Sequence, residues 1–269
     1  MQIQPITPVI GGEILDIDLT HPDSASQMLV IKAALEKYHV LVFRQQSFTP
    51  DSLTAFMSLL GPPCIHPTSP NKITGKLEVI RLNITSTNTA VPGQQWHADL
   101  TCEKSPPQYT GLWIEKVPGC GGDTVFANMH AAYDLLSPGM KKYLCGLTVH
   151  HSGEAAWGAG AQNTVRSCEH PMIIAHPDTG RPTLYFDMSF SRNIANLAHI
   201  EDYHVQALIR QVIMASDTVK ARISWQSGTF VIWDNFSVQH KAIFDYRGQP
   251  RSGLRMMCRP ITPRAYHAH

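Results

Sequence analysis

Three His-x-Asp tripeptides stand in this chain: His21-Pro22-Asp23, His97-Ala98-Asp99 and His176-Pro177-Asp178. Side chains two apart on an extended segment point the same way, so the spacing offers an imidazole and a carboxylate to one metal ion. Two histidines and one carboxylate on one face of a metal, with open positions opposite, make the site of a non-haem iron oxygenase. With 14 His and 13 Asp in 269 positions, about one His-x-Asp tripeptide is expected by chance, so context must separate the three.

His21-Pro22-Asp23 runs into Ser24 and a helical pattern, where Asp23 or Ser24 serves as an N-cap. His176-Pro177-Asp178-Thr179-Gly180 reads as a β-turn, with Pro second and Gly closing. His97-Ala98-Asp99 has no internal Pro. It lies in Gln95-Trp96-His97-Ala98-Asp99-Leu100-Thr101, a plausible strand with Trp96, Ala98 and Leu100 on the opposite face.

The third ligand has to come from far along the chain. His150, His151, His170, His199, His204 and His240 are the candidates. His199 and His204 lie near a helix start, and His150-His151 closes a strand. His240 follows the strong strand Gly228–Trp233 and a turn, so its strand returns alongside and two paired strands can put His97 and His240 side by side. A histidine on an apolar face is also explained by a hydrogen bond within the core. Arg255, one strand further on, needs an anion if buried, and its planar fork suits a carboxylate. Thr124, in Gly121-Gly122-Asp123-Thr124-Val125-Phe126, offers a hydroxyl from an opposing strand. Metal, Arg and hydroxyl together describe a pocket for a dicarboxylate that chelates metal at one end, which points to 2-oxoglutarate.

The elements that must position these groups are mostly strands. The expected ones are residues 12–19, Val40–Phe43, Leu77–Ile84, Tyr109–Glu115, Asp123–Ala127, Leu147–His151, Met172–Ala175, Thr183–Phe186, Ser224–Gln226, Gly228–Trp233 and Leu254–Arg259. Helical spacing covers 26–38 and Glu201–Ala215. A third helix starts at Thr49 as N-cap with Pro50 at N1 and ends at Gly61. Many short strands with few helices predict a barrel or sandwich padded by its N-terminal helices, with residues 1–269 as one domain. The low charged fraction, 16%, with 19 Pro and 18 Gly, agrees with a loop-rich β fold.

Composition excludes several function classes. A net charge of +1 supplies no counterion release for nucleic acid and no long-range steering. No run approaches 18 apolar residues, so no membrane span is expected. The start, Met1-Gln2-Ile3-Gln4-Pro5, shows no signal-peptide pattern. Six scattered Cys without a CxxC pair fit reduced thiols in a cytoplasmic protein. A phosphate loop, GxGxxG, GxSxG and HExxH are all missing.

Beyond the metal tripeptide, five further blocks appear in order. They are Pro8–Leu19; Val40-Leu41-Val42-Phe43-Arg44-Gln45-Gln46 with Thr49-Pro50; Gly121-Gly122-Asp123-Thr124-Val125-Phe126-Ala127-Asn128; Trp233-Asp234-Asn235 with Gln239-His240; and Arg255-Met256-Met257-Cys258-Arg259. With Trp96-His97-Ala98-Asp99, the chain resembles the taurine/2-oxoglutarate dioxygenase (TauD/TfdA) family nearly end to end. The resemblance implies a mainly β double-stranded β-helix (jelly roll, cupin-like) with flanking helices. It implies Fe(II) on His97, Asp99 and His240, with Arg255 and Thr124 holding the far carboxylate of 2-oxoglutarate. Arg259 is placed on the substrate side or in support of the 2-oxoglutarate end. Arg255 follows His240 at a longer interval than in taurine-type members, with 246–251 as an extended turn, so Arg251 is a weaker rival. Cys258 stands where the family usually has His.

His66 resembles a substrate-side histidine of the sulfonate enzymes. Their nearby aromatic corresponds to Ser69, and their Asn before the Trp to Gly93-Gln94-Gln95, which points away from taurine itself. Ser152–Cys168 is a candidate lid, and Phe190 a candidate pocket wall. The expected activity is oxidation of an unactivated C–H bond of a small polar, anionic molecule, an amino acid or other carboxylate, with O₂ consumed and succinate and CO₂ formed, by hydroxylation, desaturation or cyclisation. A taurine/alkylsulfonate dioxygenase is the alternative within the family. A non-redox metal-binding jelly roll and a zinc hydrolase are the alternatives outside it. No nucleic acid or membrane partner is expected, and a homo-oligomer is compatible with the sequence.

Overall fold

Val40–Phe43 and Thr229–Asp234 are buried along their whole lengths, as apolar runs without polar alternation require. They pair antiparallel, Phe230 opposite Phe43 and Trp233 opposite Val40. Leu41, Phe43, Phe230 and Ile232 share a core with Ile31 and Leu35 of helix Ala25–Tyr38 and Leu53 and Phe56 of helix Pro50–Ser58. Val40, Val42, Val231 and Trp233 pack instead with Phe126, Ala221, Ile223 and Val238 of a second sheet. The period-two alternation of the strand thus divides one apolar run between two cores. The structure, a computed structural model, describes residues 2–20, 25–154 and 166–267. His21-Pro22-Asp23 and the centre of the candidate lid lie outside them.

The larger sheet runs in the order Gln2–Pro5, Gly12–Leu15, Val40–Phe43, Thr229–Asp234, Pro107–Lys116, Arg251–Pro260, Lys76–Ile84 and Lys72–Ile73, with Pro63–Cys64 also on Arg251–Pro260. Its pairs are antiparallel except Gly12–Leu15 with Val40–Phe43. The facing sheet is Lys220–Ile223, Thr124–Asn128 and Val238–Ala242. Ile209 and Ile213 of helix His199–Ala215 share a core with Ala127 and Met129 behind that sheet. This is the expected double-stranded β-helix, a jelly roll with flanking helices. Among the described residues, no helix is long and apolar enough to cross a membrane.

Local signals explain the helix starts. Thr49 Oγ1 accepts from Ser52 N at 3.2 Å with Pro50 in the first turn. Helices Met129–Asp134 and Pro138–Cys145 were not expected, although Asn128 and Ser137 cap them and Ser137-Pro138 is a start signal. Two strand expectations are corrected. The segment Ser224–Gln226 lies outside the ladder, which holds Lys220–Ile223 just before it. Gln95–Thr101 forms no strand: His97 alone makes a bridge, and Leu100 turns the chain at φ 54°.

Candidate metal centre

His97 and His240 exchange backbone hydrogen bonds, His97 N to His240 O at 3.0 Å and His240 N to His97 O at 2.8 Å. Their rings consequently stand 4.2 Å apart between centroids. Asp99 Oδ1 lies 3.6 Å from His97 Nε2 and 3.8 Å from His240 Nε2. One donor atom from each of the three residues lies within 4.8 Å of the others. His97 Nδ1 bonds Gln95 O at 2.8 Å, which puts the ring proton on Nδ1 and leaves the Nε2 lone pair toward Asp99. His240 is walled by Phe126 and Trp233, at 5.7 and 4.7 Å between centroids.

The electrostatics suit a cation. Burial pushes the Asp99 carboxyl up, but Arg255, His240 and His97 outweigh it and hold the group well below the usual carboxylate range. Burial, with His97 beside it, holds His240 well below the ordinary imidazole value, so it is a neutral donor. Thr110 Oγ1 donates to Asp99 Oδ2 at 2.7 Å, fixing the carboxylate rotation and leaving Oδ1 toward the imidazoles. Two neutral-capable imidazoles and an ionised carboxylate are the donor set that ferrous iron takes in oxygenases. The residues present therefore fit the metal that the sequence implies.

Two guanidiniums flank this centre at different depths. Arg255 Nη2 is ion-paired with Asp99 Oδ1, at the metal end. Arg251 lies four residues back on strand Arg251–Pro260, roughly 13 Å by strand rise. It is buried, donates to Gly122 O at 2.6 Å, and stands over the Trp225 ring at 5.2 Å. Trp225 Nε1 donates to Thr124 Oγ1 at 3.0 Å. Thr124 is paired with Ala242, one two-residue step along the sheet from the Phe126–His240 pair. Thr124 thus keeps company with Arg251, linked through Trp225, while Arg255 belongs to the metal end. The resemblance pairs Arg255 with Thr124, whereas the contacts through Trp225 join Thr124 to Arg251. The ladder with Pro107–Lys116 is irregular between Ser252 and Gly253, where Glu115 is left unpaired. A side chain at Gly253 would lie 2.1 Å from Trp113 O, which demands glycine there.

Arg259 is committed elsewhere. It makes a two-pronged ion pair with Asp178, both contacts at 2.6 Å, and donates to Gln108 Oε1 at 2.6 Å. The resemblance places it on the substrate side or in support of the 2-oxoglutarate end; in the structure its guanidinium is turned to Asp178. His66 lines a cleft of about 360 Å³ with Lys72, Leu100, Glu103 and Arg166. Its Nδ1 accepts from Thr68 N and Ser69 N at 3.2 and 3.1 Å, so Nε2 carries the proton. Burial, aided by Arg255, pushes its pKa down to about 4. Phe190 is buried on a turn, its N donating to Asp187 Oδ1 and its O accepting from Ser152 N, both at 2.8 Å. The rival His151 is buried with Nδ1 at 3.0 Å from Thr101 Oγ1 and stands outside the metal group.

The turn at His176 belongs to a buried polar network. His176 Nε2 meets Asp234 Oδ2 at 2.8 Å. Burial opposes a charge on His176, but Asp234 raises its pKa overall. Burial is also the largest influence on Asp234, yet His176 and the surrounding donors lower it. His39 and His130 nearby are pushed down to about 3 and about 4, chiefly by burial. A histidine depressed in the fold contributes stability that is complete above its unfolded value near 6.5 and is lost as pH falls toward the folded value. His176 has the opposite sign, its contribution fading as pH rises past its folded value. His39, His66, His130, His151, His170 and His240 are all depressed, so their sign prevails. Urea denaturation of metal-free protein should show unfolding free energy dropping by several kcal/mol from pH 7 to pH 4.5, at about 1.4 kcal/mol per pKa unit. A flat profile over that interval would contradict the buried neutral histidines.

Comparison with known proteins agrees with this geometry. The sequence model of the taurine catabolism dioxygenase TauD, TfdA family matches residues 2–257. An alkylsulfatase of Acinetobacter baylyi is 32% identical over 267 residues, spanning 93% of this chain and 82% of the relative. An alpha-ketoglutarate-dependent sulfate ester dioxygenase of Pseudomonas putida is 31% identical over 268 residues, spanning 93% and 87%. The crystal structure of a taurine dioxygenase from Burkholderia xenovorans superposes with a TM-score of 0.85 at 28% identity, covering 97% of this chain and 92% of that one. With the fold, the His-Asp-His cluster and a family match over nearly its whole length, the chain belongs to the TauD/TfdA dioxygenase family.

Proposed function

We propose that this protein is an Fe(II)- and 2-oxoglutarate-dependent dioxygenase of sulfate esters or sulfonates. The observation that carries the keto-acid half is Arg251. It is a buried guanidinium with no carboxylate in ion-pairing distance among the described residues, and its Nε has no hydrogen-bond partner. Leaving such a charge unpaired is costly, so the site is built for an anion. Thr124 adds a hydroxyl, one two-residue step along the sheet from the Phe126–His240 pair. Iron with 2-oxoglutarate and O₂ supplies the oxidising chemistry, giving succinate and CO₂.

The chain's own residues do the rest. His97, Asp99 and His240 would hold the iron. Arg251 and Thr124 would bind the far carboxylate, and Trp225 orients the Thr124 hydroxyl. Arg255 and His66 face an anionic substrate at the metal end, one as a cation and the other as a neutral Nε2–H donor. Leu100 and Ile65 give the cleft apolar wall for a carbon chain. The names of the relatives supply the sulfate or sulfonate head group. An amino acid or other carboxylate is the competing substrate class.

A screen of alkyl sulfates, alkylsulfonates and amino acids, read as substrate-dependent succinate, tests the assignment. Alkyl sulfates or sulfonates should give the highest turnover per KM, and amino acids winning the screen would overturn this substrate class. In the same assay His66→Ala should raise the substrate KM by roughly 10- to 150-fold, the worth of a hydrogen bond to a charged group. Its 2-oxoglutarate KM should stay within about threefold. An unchanged substrate KM would remove His66 from the binding site.

A further inference from the structure

Asp99 lies on no strand, so no ladder fixes it. Its segment leaves the sheet after the single bridge at His97 and turns at Leu100. Side chains from distant parts of the fold take the ladder's place. Trp96 O accepts from Ser189 Oγ at 2.9 Å. Ala98 N donates to Asp187 Oδ2 at 2.6 Å. Asp99 N donates to Asn235 Oδ1 at 2.6 Å, and Asp99 O accepts from Asn235 Nδ2 at 2.9 Å. The same Nδ2 also donates to Pro107 O at 3.0 Å. Asn235 therefore satisfies both backbone groups of the carboxylate ligand, as a neighbouring strand would.

The two gripping residues are themselves anchored. Asp187 Oδ1 accepts from Ser189 N and Phe190 N at 2.7 and 2.8 Å. Asn235 sits in a turn closed by Asp234, whose Oδ1 accepts from Phe236 N at 2.9 Å and whose O accepts from Ser237 N at 3.1 Å. Asp187 and Asn235 are both buried, so water cannot replace these bonds cheaply.

We propose that Asn235 and Asp187 are positioning residues of the metal centre: by gripping the amides of Asp99 and Ala98 they set where the Asp99 carboxylate stands relative to the two imidazoles, without donating to the ion. The inference rests on the metal reading given above. Supporting residues of this kind typically tune metal affinity 10- to 100-fold.

Asn235→Asp keeps the size and the acceptor for Asp99 N. It turns the donor facing Asp99 O and Pro107 O into an acceptor. Asp187→Leu removes the acceptor for Ala98 N. Leu53→Ala, in the core beneath helix Pro50–Ser58, serves as a destabilised control remote from the segment. Each folded variant, checked by circular dichroism, is titrated anaerobically with Fe(II) at saturating 2-oxoglutarate and separately with Co(II). The expected result is a 10- to 100-fold weaker Fe(II) midpoint and a shifted Co(II) ligand-field spectrum for Asn235→Asp and Asp187→Leu. The control should stay within about twofold with an unshifted spectrum. Should one gripping variant fail to fold, the other decides. Gripping variants that bind within twofold of the parent, or a control that loses as much, overturn the inference alone. A parent that binds neither ion overturns the proposed function as well.

Discussion

Asp99→Ala protein should form succinate at least about 10³-fold more slowly than the parent at saturating substrates. That corresponds to roughly 4 kcal/mol of barrier. The expectation follows from what Asp99 does alone. It is the carboxylate of the His-Asp-His cluster and stands within 4 Å of both Nε2 atoms. It is ionised against its own burial because three positive or polarisable neighbours surround it. Removing it deletes an anionic ligand, and no other His, Cys, Asp or Glu joins the group among the described residues. Asp99→Asn tests the charge separately, since it keeps the shape, while its single oxygen can either accept from Thr110 or face the ion. It should be impaired nearly as much, because a neutral amide oxygen is a poor substitute for a carboxylate on a divalent ion. Activity above a tenth of the parent in either folded variant would contradict the assignment.

The second large effect is expected at Arg251. Arg251→Leu should raise the 2-oxoglutarate KM by about 30- to several-thousand-fold, which is the roughly 2–5 kcal/mol lost when one partner of a buried charge pair is truncated. The KM for the sulfated or sulfonated substrate should move little. Arg255→Leu should show the reverse split, because Arg255 stands at Asp99 and beside His66 rather than with Thr124. Steady-state kinetics with each substrate varied in turn reads both. If Arg255→Leu and not Arg251→Leu destroyed 2-oxoglutarate binding, the pairing read from the sequence would be restored and the structural one lost.

The arginines show where sequence reading ends. His97, Asp99 and His240 were legible because a two-residue spacing and a strong strand-turn-strand pattern are local signals. The buried strands Val40–Phe43 and Thr229–Asp234 and the Thr49-capped helix were legible for the same reason. Which of Arg251, Arg255 and Arg259 faces which anion depends on depth along one strand and on Asp178 pairing with Arg259. Neither has a signature in spacing. The grip on Asp99 was equally invisible, since Asn235 lies 136 residues away and Asp187 lies 89 from Ala98. The segment Gln95–Thr101 misled as a strand because its alternation of apolar residues is real, while its hydrogen bonds go to side chains instead of a ladder.

The most direct test of the central claim is an anaerobic titration of the purified protein with Fe(II) and 2-oxoglutarate, followed by visible absorption. The parent should develop the metal-to-keto-acid charge-transfer band with one iron per chain, and His97→Ala, Asp99→Ala and His240→Ala should each fail to develop it. A parent without the band, or any of these variants showing it at full strength, would contradict a ferrous centre on these three side chains.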